Sequence, residues 1–269
     1  MDHENPPGRL EHRRAILVGM AFMTATATET SAWAYRPFDG TDADVADVGN
    51  FELELGPVHW LSQGIAHYAV APATVLNLGI VPGSELVLDL QNLVGIDVPP
   101  GQPKDRVVDT DVLAKAVILS GALQGVGSRP SIAAEAGPLL PNVNGESGFG
   151  VSVDVIVSER WPALAVHVNS WLELSRGSLR PDWFEGAIIE GSEYSRVRPV
   201  GEWFVEHDFA ADVTTVSGLV GGIWRARAGL DVDMGLREAL AGGQRVSEVR
   251  VGLTWTFALW RPGSPAALL

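Results

Sequence analysis

The sequence contains no cysteine. That absence removes disulfide frameworks, thiolate zinc sites, iron–sulfur clusters and cysteine nucleophiles together. Positive charge is scarce: 19 Lys and Arg stand against 33 Asp and Glu, a formal charge of −14. No nucleic-acid partner is expected, because gripping a phosphate backbone needs clustered Lys and Arg. Long apolar runs are missing too. Apart from one shorter N-terminal stretch, no polar-free run reaches the ~20 residues that a helix needs to cross a bilayer. His59, His67, His167 and His207 show no metal-ligand spacing, and Glu206-His207-Asp208 puts its two acids on the face opposite the histidine, so no metal is expected. No glycine-rich segment joins a strand to a helix, which leaves a phosphate cradle without support, and no cofactor is expected. Disorder is excluded by a hydrophobic content of 46%, ample for burial.

What is present begins with a leader. Arg13-Arg14 precede the apolar run Ala15 to Met23, and a small-residue stretch leads to Ala32-Trp33-Ala34. A basic start, a short apolar centre and an A-x-A site make a secretory signal peptide over residues 1–34. Removing it leaves 235 residues with a charge of −13.

From there the dominant pattern has period two, the repeat that sends neighbouring side chains to opposite faces of a strand. Phe51-Glu52-Leu53-Glu54-Leu55 has one apolar and one anionic face. Leu86 to Leu90, Val151 to Val155, Leu164 to Leu174, Leu230 to Met234 and Val249 to Phe257 alternate likewise. Noisier candidates are 72–81, 110–122, 129–138, 183–193, 197–208 and 212–225, for twelve strands in all. No amphipathic helix of three turns and no Pro/Gly linker interrupts them. The fold class expected is all-β, and two layouts fit: a soluble sandwich or barrel with an apolar interior, or a membrane barrel turned inside out.

Three features favour the membrane barrel. The leader exports the chain. The presumed wet faces carry both signs (Glu248 with Arg250, Asp233 with Arg237, Asp111 with Lys115). Phe51, Trp60, Trp161, Trp183, Trp224, Trp255 and Phe257 fall near strand ends, where interfacial girdles form. Short turns are expected at 82–84, around 125–128, at 159–162, near 194–197 and at 225–228. Longer connections are expected at 92–109 and 139–147, on the opposite end of the barrel. The expected organisation is a signal peptide at 1–34, one antiparallel transmembrane barrel of about twelve strands over 35–257, and a tail over 258–269.

Polar residues out of phase with the aliphatics should then line the lumen. They are Glu52, Glu54, Glu85, Asp89, Lys115, Glu135, Asp154, His167, Glu173, Glu202, Glu206, Asp231, Asp233, Arg237, Glu248 and Arg250. They fit either a salt-bridged network filling the barrel or a narrow anionic conduit that favours cations and neutral solutes. Catalysis is not expected. His167 and Ser170 face opposite sides of one strand, beyond the reach a nucleophile and its base require.

The stretch from Arg36-Pro37-Phe38 through Asn50-Phe51-Glu52-Leu53-Glu54-Leu55-Gly56 resembles the family named for a putative MetA pathway of phenol degradation. Asn77-Leu78-Gly79-Ile80 running into Glu85-Leu86-Val87-Leu88, Gly229 to Arg237, and Glu248 to Phe257 extend the resemblance over most of 36–257. It implies an outer-membrane, transporter-like barrel. Its partners would be outer-membrane lipids, the barrel assembly machinery and a small, hydrophobic or aromatic solute. It supplies no catalytic or ligand residues. One departure stands out: many such barrels end on an aromatic that the assembly machinery reads, whereas here Phe257 is followed by a tail to Leu269. The rival readings are a lipid hydrolase on a similar barrel and a secreted ligand-binding sandwich.

Overall fold

The computed structural model describes residues 36–101 and 103–260; the proposed leader and the end of the tail lie outside them. Thirteen strands follow one another: β1 (Asn50–Gly56), β2 (His59–Gln63), β3 (Ala66–Val81), β4 (Ser84–Asp97), β5 (Asp105–Leu119), β6 (Ser131–Leu139) and β7 (Gly150–Arg160), then β8 (Leu164–Leu174), β9 (Pro181–Gly191), β10 (Val197–Asp208), β11 (Val213–Arg227), β12 (Leu230–Ala241) and β13 (Gln244–Ala258). Each pairs antiparallel with its sequence neighbours, except that β1 and β2 lie end to end. β1 meets β13 through Phe51↔Phe257 and β2 meets it through Trp60↔Val249, while both also pair with β3. β1 and β2 are therefore one stave, and the sheet closes into a twelve-stave barrel with no free edge.

Pro57 and Val58 cause the break between β1 and β2. Proline cannot donate to the ladder, so it is confined to places where pairing lapses. Here the lapse inserts a residue: Glu52 and Glu54 point inward before it, and His59 points inward after it, with Val58 exposed between them. Pro72 acts the same way in β3, where the register slips between Val70 and Ala73. Inward residues are even-numbered before it (Ala66, Tyr68, Val70) and odd-numbered after it (Ala73, Asn77). A bulge of this kind flips the phase of everything beyond it.

The faces divide as a membrane barrel requires. Along β7, Val151, Val153, Val155 and Val157 are exposed, whereas Asp154, Ile156 and Ser158 are buried. Outward Met234, Leu236, Val249 and Val251 continue that apolar belt on β12 and β13. Backbone pairing around a closed ring satisfies the N–H and C=O groups that lipid cannot. At the end of the barrel where β1 begins and β13 finishes, Trp161, Trp224, Trp255 and Phe257 mark one boundary of the belt, with Phe257 packed 5.1 Å from Phe51 and 5.3 Å from Trp255. Trp60 and Trp183 lie toward the other end.

The connections depart from the expected asymmetry. Residues 92–109 are mostly strand, because β4 runs to Asp97 and β5 starts at Asp105. The longest connection, 120–130, is at the end where only short turns were expected. Its length has a use: it folds back beneath the barrel, with Val126 N–H donating to Gly121 O and the Gln124 side chain donating to Ala43 O at 2.9 Å.

Candidate functional site

Residues 36–49 form no strand. They run inside the barrel as a belt against the wall, and polar wall side chains hold their backbone at successive points. Arg250 donates to Pro37 O at 2.7 Å, and the Asp39 and Gly40 amides donate to the Glu202 carboxylate at 2.7–3.1 Å. Thr41 exchanges two hydrogen bonds with the Asn169 side chain, each 2.8 Å. The Ala43 amide donates to Ser158 Oγ at 2.9 Å, and the Ala46 amide to Glu85 at 2.6 Å. Ala43 is fully buried against Ala133 and Ile156. Gly79 lets the belt leave along β3: a Cβ there would overlap the Asp47 and Ala46 carbonyls.

Charge reinforces the belt. Asp39 faces Arg250 at 2.9 Å and Arg237 at 3.4 Å, and Glu248 links the same two arginines at 2.8 and 3.5 Å. Burial raises the Asp39 pKa, but Arg250 and Arg237 outweigh it and hold the carboxyl below its ordinary range. Arg36 lies 3.5 Å from Asp233, and Lys115 lies 3.6 Å from Glu85 and 3.9 Å from Asp42. Buried charges survive only with such partners.

The sixteen residues singled out from the sequence fall into three groups, all with buried or half-buried side chains. Glu85, Lys115, Glu202, Asp233, Arg237, Glu248 and Arg250 hold the belt or brace its anchors. His167 joins them indirectly, its Nδ1 lying 2.8 Å from Ser158 Oγ. Glu52, Glu54 and Asp231 tie wall to wall: Thr256 donates to Glu52 at 2.7 Å, Asn77 donates to Glu54 at 3.0 Å, and Arg198 donates to Asp231 at 3.1 Å. Asp89, Glu135, Asp154, Glu173 and Glu206 lie on the far side of the belt from the end where β13 finishes and line a cavity of about 480 Å³.

That cavity is floored by Arg36 to Thr41 and carries twelve carboxylates against five Lys and Arg. Each of the five has a carboxylate within ion-pair distance, Arg176 pairing with Asp111 and Glu173. Asp89, Glu135, Asp154 and Glu206 have no cation within that distance among the described residues. Three aromatic rings accompany them. Trp171 stacks on Phe184 at 5.0 Å and 8°, Phe184 meets Phe204 at 4.9 Å, and Arg237 covers Phe204 at 5.2 Å. Gly186 makes room for the Phe184 ring, which a Cβ would strike.

Phase could have found these aromatics: Trp171 is in step with His167 and Glu173, and Phe204 with Glu202 and Glu206. The belt itself left no such signal, because most of its hydrogen bonds to the wall are made by backbone groups. Toward the end where β13 finishes, the interior is also partly apolar, with Ile156, Ile188 and Ile223 pointing inward and buried.

A serine does reach His167, and it comes from the next strand: Ser158 Oγ sits at His167 Nδ1, with Glu190 3.6 Å from Nε2. Ser158 is fully enclosed and its oxygen accepts the Ala43 amide. No acyl group has access to it, and the arrangement anchors the belt. Ser170 instead donates to Glu185 at 2.6 Å.

No family model matches the chain, and neither does any curated protein. Solved structures do match. A COG4313 outer membrane channel from Pseudomonas putida F1 aligns over 82% of this chain and 100% of its own, at 10% identity and a TM-score of 0.61. A NanC porin aligns over 76% of this chain and 98% of its own, at 8% identity and a TM-score of 0.54. A KdgM porin aligns over 77% and 99%, at 11% identity and a TM-score of 0.51. At such identities the likeness is one of fold: this chain has the closed twelve-stave barrel of outer-membrane porins and channels.

Proposed function

We propose that the chain is an outer-membrane channel that passes small cationic or neutral solutes. The observation that carries this reading is the excess of carboxylates over Lys and Arg around the cavity. A low-dielectric wall focuses that field, so cations concentrate at the mouth and anions are repelled. In this reading the path runs from the cavity past residues 36–49. The sixteen candidates then have two duties, seating the belt and setting the charge of the vestibule. The same reading includes export by residues 1–34, assembly by the barrel machinery, outer-membrane lipid around the aliphatic belt, and a tail from 258 onward. It also includes membership of the MetA-pathway family, whose implied hydrophobic or aromatic solute suits the three packed rings.

Planar-bilayer recording across a KCl gradient tests the proposal. The reversal potential should show potassium passing in preference to chloride, and neutralising Glu135 and Asp154 together should reduce that preference. Chloride preference, or no current from protein that migrates as a folded barrel, would refute it.

A further inference from the structure

One row of inward side chains crosses the barrel wall in direct register. Lys115 on β5 is opposite Glu135 on β6, Glu135 is opposite Asp154 on β7, Asp154 is opposite Trp171 on β8, and Trp171 is opposite Phe184 on β9. Partners in such a row have Cβ atoms roughly 4.5–5.5 Å apart, so the two acids and the indole face one solute-sized space. Lys115 is already engaged by Glu85 and Asp42. Asp154 is only 7% exposed, lines the cavity, and its Oδ1 has no hydrogen-bond partner among the described residues. A buried carboxylate oxygen without a partner is costly, and a cation brought to it removes that cost. Trp171 is half-buried, lines the same cavity, and is backed by Phe184. An indole offers the strongest aromatic surface for a cation or for an apolar body beside one.

We infer that this row is a binding site for an organic ammonium ion with an apolar or aromatic body. The ammonium sits between Asp154 and Glu135, and the body lies along Trp171. The inference rests on the proposed channel and names the class of solute it would take. At about 480 Å³ the cavity has the volume of a small-molecule pocket. Simple attraction by carboxylates would favour any cation alike; the aromatic pair next to Asp154 selects a cation that also carries a hydrophobic part.

Calorimetry on the folded, detergent-solubilised chain tests this with three probes of one shape: benzylammonium, benzyl alcohol and benzoate. Benzylammonium should bind, and the other two at least about tenfold more weakly, the usual weight of a charged hydrogen bond. Asp154→Asn and Trp171→Leu should each weaken benzylammonium by roughly tenfold or more, and Glu135→Gln by less. Heat-modifiable migration confirms that each variant is folded. Equal affinity for the three probes, or unchanged affinity in both Asp154→Asn and Glu135→Gln, would overturn the site. Potassium-selective conductance without benzylammonium binding would remove the site and leave the channel standing. Binding without conductance would keep the site and remove the channel.

Discussion

The interior of this barrel has two unlike regions. Around the belt, charges are matched: Asp39, Glu248, Arg237 and Arg250 form one ion-paired set, and Glu85 and Glu202 accept backbone amides. Beyond the belt, Asp89, Glu135, Asp154 and Glu206 line open space without ion-pair partners among the described residues. Both sets occupy inward positions of the same alternating strands. Matched charges hold the interior in one arrangement, whereas unmatched ones impose a field on whatever enters. The proposed channel function therefore rests on the second set, with the first serving to keep the belt seated.

Breaking the matched set should have the largest effect. Arg250→Met leaves the buried Glu248, and Asp39 beside it, with only the longer of their arginine contacts, to Arg237, and losing one partner of a buried ion pair costs about 3–5 kcal/mol. The thermal midpoint of the folded barrel in detergent should fall steeply, and the bilayer conductance should rise as residues 36–49 loosen. An unchanged midpoint would mean the belt is not held by charge.

Gly79→Val comes next. Its side chain would occupy the path of the Asp47 and Ala46 carbonyls, and overpacking of this kind costs about 1–3 kcal/mol. The belt should unseat while the barrel persists, which limited proteolysis would detect as new cleavage between residues 36 and 49. Protection equal to that of the unaltered chain would place the belt elsewhere.

Glu135→Gln probes the unmatched set and should shift stability by less than about 1 kcal/mol in either direction, since no ion pair is lost. A drop as large as that of Arg250→Met would erase the distinction between the regions. Smallest of all is Arg245→Ala. Its pair with Glu238 is 2.8 Å long but exposed on both sides, and no measurable change in midpoint is expected.

Much of this was legible in residue order. Glu52-Leu53-Glu54 and Val151 to Val155 reveal two-faced strands directly, and β8 and β10 occupy the predicted 164–174 and 197–208. Legibility failed wherever the phase changed. Pro72 hid the first half of β3, and Pro57 hid β2, because a bulge resets which residue points inward. It failed again at 120–130, whose length is explained only by Gln124 reaching Ala43. The belt was invisible for a different reason: Ala43, Gly40 and Ala46 are bound through their amides, which every residue but proline possesses.

Sequence alone determined the alternation and the acidic balance and, through its mixed-sign faces and strand-end aromatics, favoured an inside-out barrel over a soluble sandwich, since all of these are properties of residue order. Tertiary structure decided which charges meet. Glu202 and Asp39 are 163 positions apart, and whether a carboxylate is neutralised or left facing space depends on such distant neighbours. Side-chain type sets the sign of a charge; ring closure and the threaded segment set its environment, and that environment separates a clamp from a vestibule.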